Sequence, residues 1–218
     1  MISYNEIRKN EKIRTLIRGA DDSLEALGYT EHSFAHVTKV AEDAARILET
    51  LGYPEREVEL AKIAGYMHDI GNLVNRVGHS ESGAIMAYKI LDELGMSPEE
   101  LVTVVSAIGN HDEGSGVAVN PVAAALILAD KCDVRRSRVR NEDFTTYDIH
   151  DRVNYSVREA DLRITEDKKI ILSLDIDAEI SAVMDYFEIF LERMIMCRKA
   201  AERIGLEFKL MINGHSIL

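Results

Sequence analysis

The stretch Ala61-Lys62-Ile63-Ala64-Gly65-Tyr66-Met67-His68-Asp69-Ile70-Gly71-Asn72 decides how this chain is read. It begins as an apolar helical segment and runs, with no break in hydrophobicity, into an adjacent imidazole and carboxylate. Both groups are costly at the end of a buried helix unless something pairs with them, and a divalent metal ion would pair with both. Taken alone, the pair has a plainer reading, a core histidine bonded to its neighbouring aspartate, and structural ion pairs of that kind are the commoner case. The remaining chain chooses between the two.

A length of 218 residues allows one large domain, or one domain with an appendage, around a sizeable core. With 46% hydrophobic residues the chain is globular, not disordered. No apolar run reaches the length of a bilayer, and the charged opening (Glu6, Arg8, Lys9, Glu11, Lys12) is unlike a signal peptide. A cytoplasmic protein with no membrane partner is therefore expected. Cys132 and Cys197 are far apart in sequence and form no ligand pattern, which suits a reducing compartment. A net charge of −12 argues against a nucleic-acid polymer as partner, yet leaves room for a small anionic substrate at a local basic patch.

Outward from the opening stretch the pattern is helical. Tyr4, Ile7, Leu16, Ile17, Leu24 and Leu27 predict a first helical segment, broken near Gly19 and stopped by Gly28. A second helix spans about His32 to Leu51, with His36 facing inward beside Val37 and Val40 and His32 at the rim. Pro54 opens the helix that ends at His68, and Gly71 is expected to lend the backbone freedom to turn. After a loop carrying Arg76, His79 opens a helix that closes near Leu94. Ser97-Pro98-Glu99-Glu100 starts the next with a capping serine and a first-turn proline, and delivers Asn110-His111-Asp112-Glu113 at its far end. Asn120-Pro121 begins an apolar helix, Val122 to Ala129, into whose end Asp130 and Lys131 are set.

From about Asn141 the period changes to two. Val153, Tyr155 and Val157 alternate, then Leu162 and Ile164, then Ile170, Leu172, Leu174 and Ile176, with Glu166-Asp167-Lys168 as a turn. A long helix from about Ala178 to Ile204 is expected to turn Ile180, Val183, Met184, Phe187, Phe190, Leu191, Met194 and Ile195 inward. Leu206, Phe208, Leu210 and Ile212 read as a last strand. The expected fold is mainly α: a helical body over 1–140, then a small α+β extension over 141–218 made of antiparallel strands and one long helix. An exposed sheet edge there would suit a homodimer.

His36, His68, Asp69, His79, His111 and Asp130 thus stand at helix ends or in apolar settings. Each has an ordinary explanation singly; Lys131 or Arg135 would serve as partner for Asp130. An unpaired aspartate in an apolar helix costs on the order of several kcal/mol, so a partner is required. Six such residues on or at the ends of five helices point instead to a divalent transition metal, and nitrogen and carboxylate ligands suit manganese, iron, zinc or cobalt.

In this order the residues resemble a known family. His36, then His68-Asp69, then Asp130 is similar to the H…HD…D signature of the HD-domain superfamily of metal-dependent phosphohydrolases. Met67 to Asn72 resembles its HDIG segment, and Leu128-Ala129-Asp130-Lys131 its terminal aspartate motif. His79 and His111 resemble the additional ligands of the two-metal subgroup, which includes cyclic-dinucleotide phosphodiesterases of the HD-GYP type and dinucleoside tetraphosphate hydrolases. Asn72 and Asn110 replace a lysine and a histidine of the HD-GYP pattern and no GYP triplet follows, which argues against cyclic-di-GMP. The likeness covers about Glu31 to Arg140.

The resemblance implies an HD helical bundle and a hydrolase acting on a phosphoester or phosphoanhydride of a nucleotide or another small phosphorylated metabolite. It implies that His36, His68, Asp69 and Asp130 hold one ion and that Asp69 bridges to a second held by His79 and His111, with a metal-activated water as nucleophile. Asp69 and Lys131 are the implied catalytic residues. Arg76, Lys131 and Arg135 are candidates to neutralise phosphate, and Asp112, Glu113 and His150 to supply a proton. The competing class is a metal-stabilised ligand-binding or regulatory protein without turnover.

Overall fold

One polar side chain, not a glycine, divides the N-terminal segment in the computed structural model, which describes residues 1–217. Ser3 and Glu6 form a reciprocal cap on α1 (Tyr4–Lys9). Asn10 then ends α1 and caps α2 (Glu11–Ala26) by accepting from the N–H groups of Lys12 and Ile13. Gly19 lies inside α2 without breaking it, since two well-capped ends outweigh the modest cost of one interior glycine. The expected break moves to Asn10.

The body continues as α3 (Phe34–Thr50), α4 (Glu55–Met67), a single 3-10 turn (Ile70–Leu73), α5 (His79–Glu93), α6 (Pro98–Gly109) and α7 (Pro121–Lys131). α3 and α4 touch backbone to backbone: a Cβ on Gly65 would stand 2.7 Å from the Cα of Ala41. α7 is buried on every side from Val122 to Ala129, as a helix apolar all round must be, with α3, α4, α6 and α9 (Val183–Arg203) against it.

Beyond residue 140 the alternation misleads at one place. Asp148 accepts the N–H of Asp151 and starts α8 (Ile149–Ser156), so Val153 and Tyr155 are helical and the strand begins only at Val157. Three apolar residues spaced by two are too few to outweigh a cap. β1 (Val157–Ile164) and β2 (Lys169–Ile176) form an antiparallel hairpin across the Glu166-Asp167-Lys168 turn. α9 then carries the chain back, so β3 (Glu207–Ile212) runs parallel to β2, and β4 (His215–Ser216) closes the order β1-β2-β3-β4 among the described residues. The sheet is mixed, where antiparallel pairing was expected, because a helical crossover returns the chain in its original direction.

The inner face of α9 is also rotated from the expected one. Met184, Leu191 and Ile195 are exposed, whereas Tyr186, Phe190, Met194, Cys197, Ala200 and Ala201 are buried. The helix lies on the alanine-rich α7, and small residues with one cysteine permit that approach. Cys132, just past α7, and Cys197 meet with their sulfurs 4.0 Å apart. Buried residues from both parts of the chain join in one hydrophobic cluster.

Candidate metal centre

Helix ends deliver the site. His36 lies in the first turn of α3, His68 follows the last residue of α4 with Asp69 beside it, and His79 opens α5 after Gly78 in a left-handed conformation. His111 follows α6, and Asp130 is the penultimate residue of α7. The histidines are fully buried or nearly so.

Each imidazole is anchored at Nδ1. His68 bonds the carbonyl of Gly65 at 2.8 Å, His79 that of Arg76 at 3.0 Å, and His111 that of Ile108 at 2.6 Å. His36 bonds the carboxylate of Asp133 at 2.7 Å. A carbonyl or carboxylate oxygen can only accept, so Nδ1 carries the proton in every ring and Nε2 presents a lone pair. These lone pairs converge. His36 Nε2 and His68 Nε2 are buried with no hydrogen-bond partner, and His79 Nε2 faces His111 Nε2 at 3.2 Å, two acceptors aimed at each other.

The carboxylates complete the arrangement. Oδ2 of Asp69 lies 3.2 Å from His68 Nε2 and 3.6 Å from His36 Nε2, while its Oδ1 lies 3.6 Å from His79 Nε2 and 3.9 Å from His111 Nε2. Oδ1 of Asp130 is 3.3 Å from His36 Nε2 and 3.6 Å from His68 Nε2. Bonds of about 2.1 Å around an ion place neighbouring ligand atoms roughly 3.0–3.4 Å apart, so a cation fits among them. Two overlapping groups, His36-His68-Asp130 and His68-Asp69-His111, each bring one ligand atom per residue to within 4.8 Å of one another among the described residues.

The charges agree. Burial opposes ionisation of Asp69 and Asp130, yet His68 holds the first, and Lys131 with His36 and His68 the second, well below the usual carboxylate range. Burial pushes His111 down to about 3, helped by His68 and Lys131, and also lowers His79, so both rings stay neutral, the form in which an imidazole can hold a cation. Burial would lower His68 too, but Asp69 and Asp130 draw it up to about 10, so a proton and a cation compete for its Nε2.

The sequence signature of the HD domain family matches residues 33–135. Residues 33–135 form an HD domain. Similar over most of its length is an uncharacterized protein, MJ1020, of Methanocaldococcus jannaschii, 26% identical over 200 residues that cover 81% of this chain and 76% of that one. Ribonuclease Y of Enterococcus faecalis is 30% identical over 122 residues, 55% of this chain, and ribonuclease Y of Latilactobacillus sakei 30% identical over 56% of it. The matched region spans only 21% and 22% of those two ribonucleases.

Around the HD ligands the structure adds residues that the sequence did not single out. Asp133 orients His36 and is itself held by Arg135 Nε at 2.9 Å and by Arg138 at 3.8 Å. Burial works against its charge, and the bond to His36 and the nearby arginines outweigh it. One signal was present: acids at the C-terminal end of a helix oppose its dipole and need compensation. Asn72 donates to Asp69 Oδ1 at 2.9 Å and accepts from Arg76 at 3.2 Å, linking the central carboxylate to a cation. Replacing Asp133 with Asn should weaken metal affinity by about 10–100-fold, because a neutral amide raises the basicity of the ring it orients less than a carboxylate does. Chelator competition measures this, and unchanged affinity would remove Asp133 from the site.

The other candidates divide. Lys131 is buried and reaches Asp130 at 2.9 Å and Glu113 at 3.2 Å. Arg76 reaches to 3.4 Å from His79 Nε2. Arg135 instead bonds Asp133, Ser137 and Glu31, and the guanidinium groups lining the centre with Arg76 are those of Arg138 and Arg193. Asp112 lies 3.9 Å from both His79 Nε2 and Lys131 Nζ. His150 is exposed in an outer cleft that also holds half-buried His32. Nothing local marks Arg193, which arrives on α9 and bonds Glu113 at 2.6 Å.

Glu113 therefore ties the loop after α6 to α9. Burial would raise its carboxyl, but Lys131 and Arg193 pull it down to about 2. A depressed carboxyl stabilises the fold above its unfolded value and loses that contribution as pH falls through the folded one. Glu113→Gln should cost about 1–3 kcal/mol near neutral pH, and the difference from wild type should vanish as pH falls from about 4.5 towards 2. Urea unfolding across that range reads the effect, and a pH-independent difference would exclude the ion pairs as its origin.

Proposed function

We propose that this protein is a metal-dependent phosphohydrolase acting on a phosphoester or phosphoanhydride of a small phosphorylated metabolite. The observation that carries the reading is the convergence of buried imidazole lone pairs, two of them orphaned, on the carboxylates of Asp69 and Asp130. A cation would satisfy every member of that donor set at once, where a proton on His68 serves only one ring. Asp69, with one oxygen towards each histidine pair, is placed to serve two ions, and nitrogen with oxygen donors suits manganese, iron, zinc or cobalt. Bound there, divalent ions supply Lewis acidity and water activation near neutral pH.

The chain's own groups do the rest. Arg76, Arg138 and Arg193 line the centre and neutralise the phosphoryl oxygens, with buried Lys131 behind them. Asp112 stands at the edge, and burial with Glu113 beside it raises its carboxyl. It is the acid best placed to hand a proton to the departing oxygen. Elemental analysis of purified protein should find about two divalent ions per chain. A screen of aryl phosphates, nucleotides and dinucleoside polyphosphates with added manganese or cobalt should then find turnover. Tight binding of such compounds without turnover would return the binding or regulatory reading.

A further inference from the structure

The cleft outside the metal centre has two ends of opposite charge. Its inner end shares His32, Arg76, Arg138 and Arg193 with the metal centre. There, two guanidinium groups lie over aromatic rings on separate elements. Arg76 sits 5.7 Å from the centroid of Tyr29, and Arg193, on α9, 4.7 Å from that of Phe190. A guanidinium resting on a ring keeps its N–H edges free for oxygen ligands. Arg138 is buried, its Nε and one terminal nitrogen each bonded to a carbonyl at 2.9 Å. The floor carries Asp69, His79 and Asp130.

The outer end is different. The cleft as a whole encloses about 530 Å³, and α8 with the residue before it supplies wall at this end. Asp148, His150, Asp151 and Asn154 face it, and no lysine or arginine joins them at that end. Asp148 caps α8, so the helix N-terminus, which would otherwise draw an anion, already holds a carboxylate. A second phosphate would meet two acids with no cation to offset them. Hydroxyl, amide or amine donors would meet acceptors.

We propose that this cleft takes a phosphomonoester of a donor-rich alcohol that carries no second phosphate at its far end. The phosphoryl group lies among Arg76, Arg138 and Arg193, and the alcohol portion lies against Asp148 and Asp151. This rests on the phosphohydrolase reading and narrows it: a polynucleotide, which has a phosphate on both sides of each nucleoside, is the wrong shape of charge. The residues after 140 then act as a selector for the leaving group and are more than a brace for the HD domain.

The test pairs each of the four ribonucleoside 5′-monophosphates with its 3′,5′-bisphosphate, on manganese-loaded protein. The expected kcat/KM favours the monophosphate by about tenfold or more, a modest factor because both acids are partly exposed and screened. In the Asp148→Asn, Asp151→Asn double variant that ratio should fall at least fivefold; asparagine preserves the cap on α8, so folding is maintained. Titration calorimetry with the matching phosphonates, whose P–C bond resists hydrolysis, should show the same preference and the same loss. Equal or better use of bisphosphates by the wild type, or a ratio indifferent to the double substitution, overturns the proposal. Wild-type protein that binds phosphonates with the stated preference but hydrolyses neither these monophosphates nor p-nitrophenyl phosphate would overturn the phosphohydrolase reading and leave the selector standing.

Discussion

An Asp69→Ala protein should fold, lose metal and lose activity together. Among the described residues its carboxylate alone faces both histidine pairs, with oxygens 3.2 Å from His68 Nε2 and 3.6 Å from His79 Nε2. Removing it leaves no oxygen between the pairs, so activity on any phosphoester should fall by about three orders of magnitude or more. Metal content should fall from about two ions per chain to one or fewer. Removing one partner from this buried cluster leaves His68 and Asn72 without theirs and should cost about 3 kcal/mol, less than the total stability of an ordinary domain. The helical circular dichroism signal therefore survives. A well-folded Asp69→Ala protein with wild-type turnover would eliminate this centre as the seat of the reaction.

Gly71→Ala should do the opposite and damage the fold first. A Cβ at that position would lie 1.9 Å from the carbonyl oxygen of His79 and 2.5 Å from the backbone nitrogen of Gly83. Both neighbours are backbone, so neither can swing aside. Gly71 is not in a left-handed conformation, and the turn-flexibility role expected from sequence is replaced by one of close approach. The 3-10 turn after Asp69 is pressed against the start of α5, and that contact sets where His79 stands. Overpacking of this kind should cost about 3 kcal/mol or more. For a chain of this size that corresponds to a melting temperature lower by roughly 6–12 °C. Thermal denaturation with and without manganese measures it. Metal should restore less than in the wild type, since His79 is displaced. A melting temperature within a degree or two of wild type would show that the turn can move away from α5.

The legible part of this molecule was whatever its chemistry writes locally. An aspartate in an otherwise apolar α7, and an HD pair at the end of an apolar α4, violate the hydrophobic pattern where they stand, so each announced a partner before any fold was known. Helix starts were legible for the same reason, because Ser97-Pro98 and Asn120-Pro121 act within one turn. What escaped depends on distance. Arg193 belongs to the cleft only because α9 crosses α7, and Arg135 leaves it only because Glu31 and Asp133 are closer. The rotated face of α9 has a similar cause: the preference for large apolar residues inside gives way where an alanine-rich partner admits Cys197, Ala200 and Ala201. The parallel pairing of β2 and β3 follows from a crossover whose direction no alternation of side chains encodes.

The placement of α9 across α7 also orders events in time. Every candidate ligand, from His36 to Asp130, leaves the ribosome before α9 is made, so the centre can gather its ions around an α7 still bare on one side. That apolar flank stays open until residues beyond 183 emerge and dock. The same docking brings Arg193 to the cleft. On the proposed reading, the arginine set that holds a phosphoryl group is therefore completed after the candidate ligands and after Asp148 and Asp151 of α8, so a firm grip on substrate is the last property the nascent chain acquires.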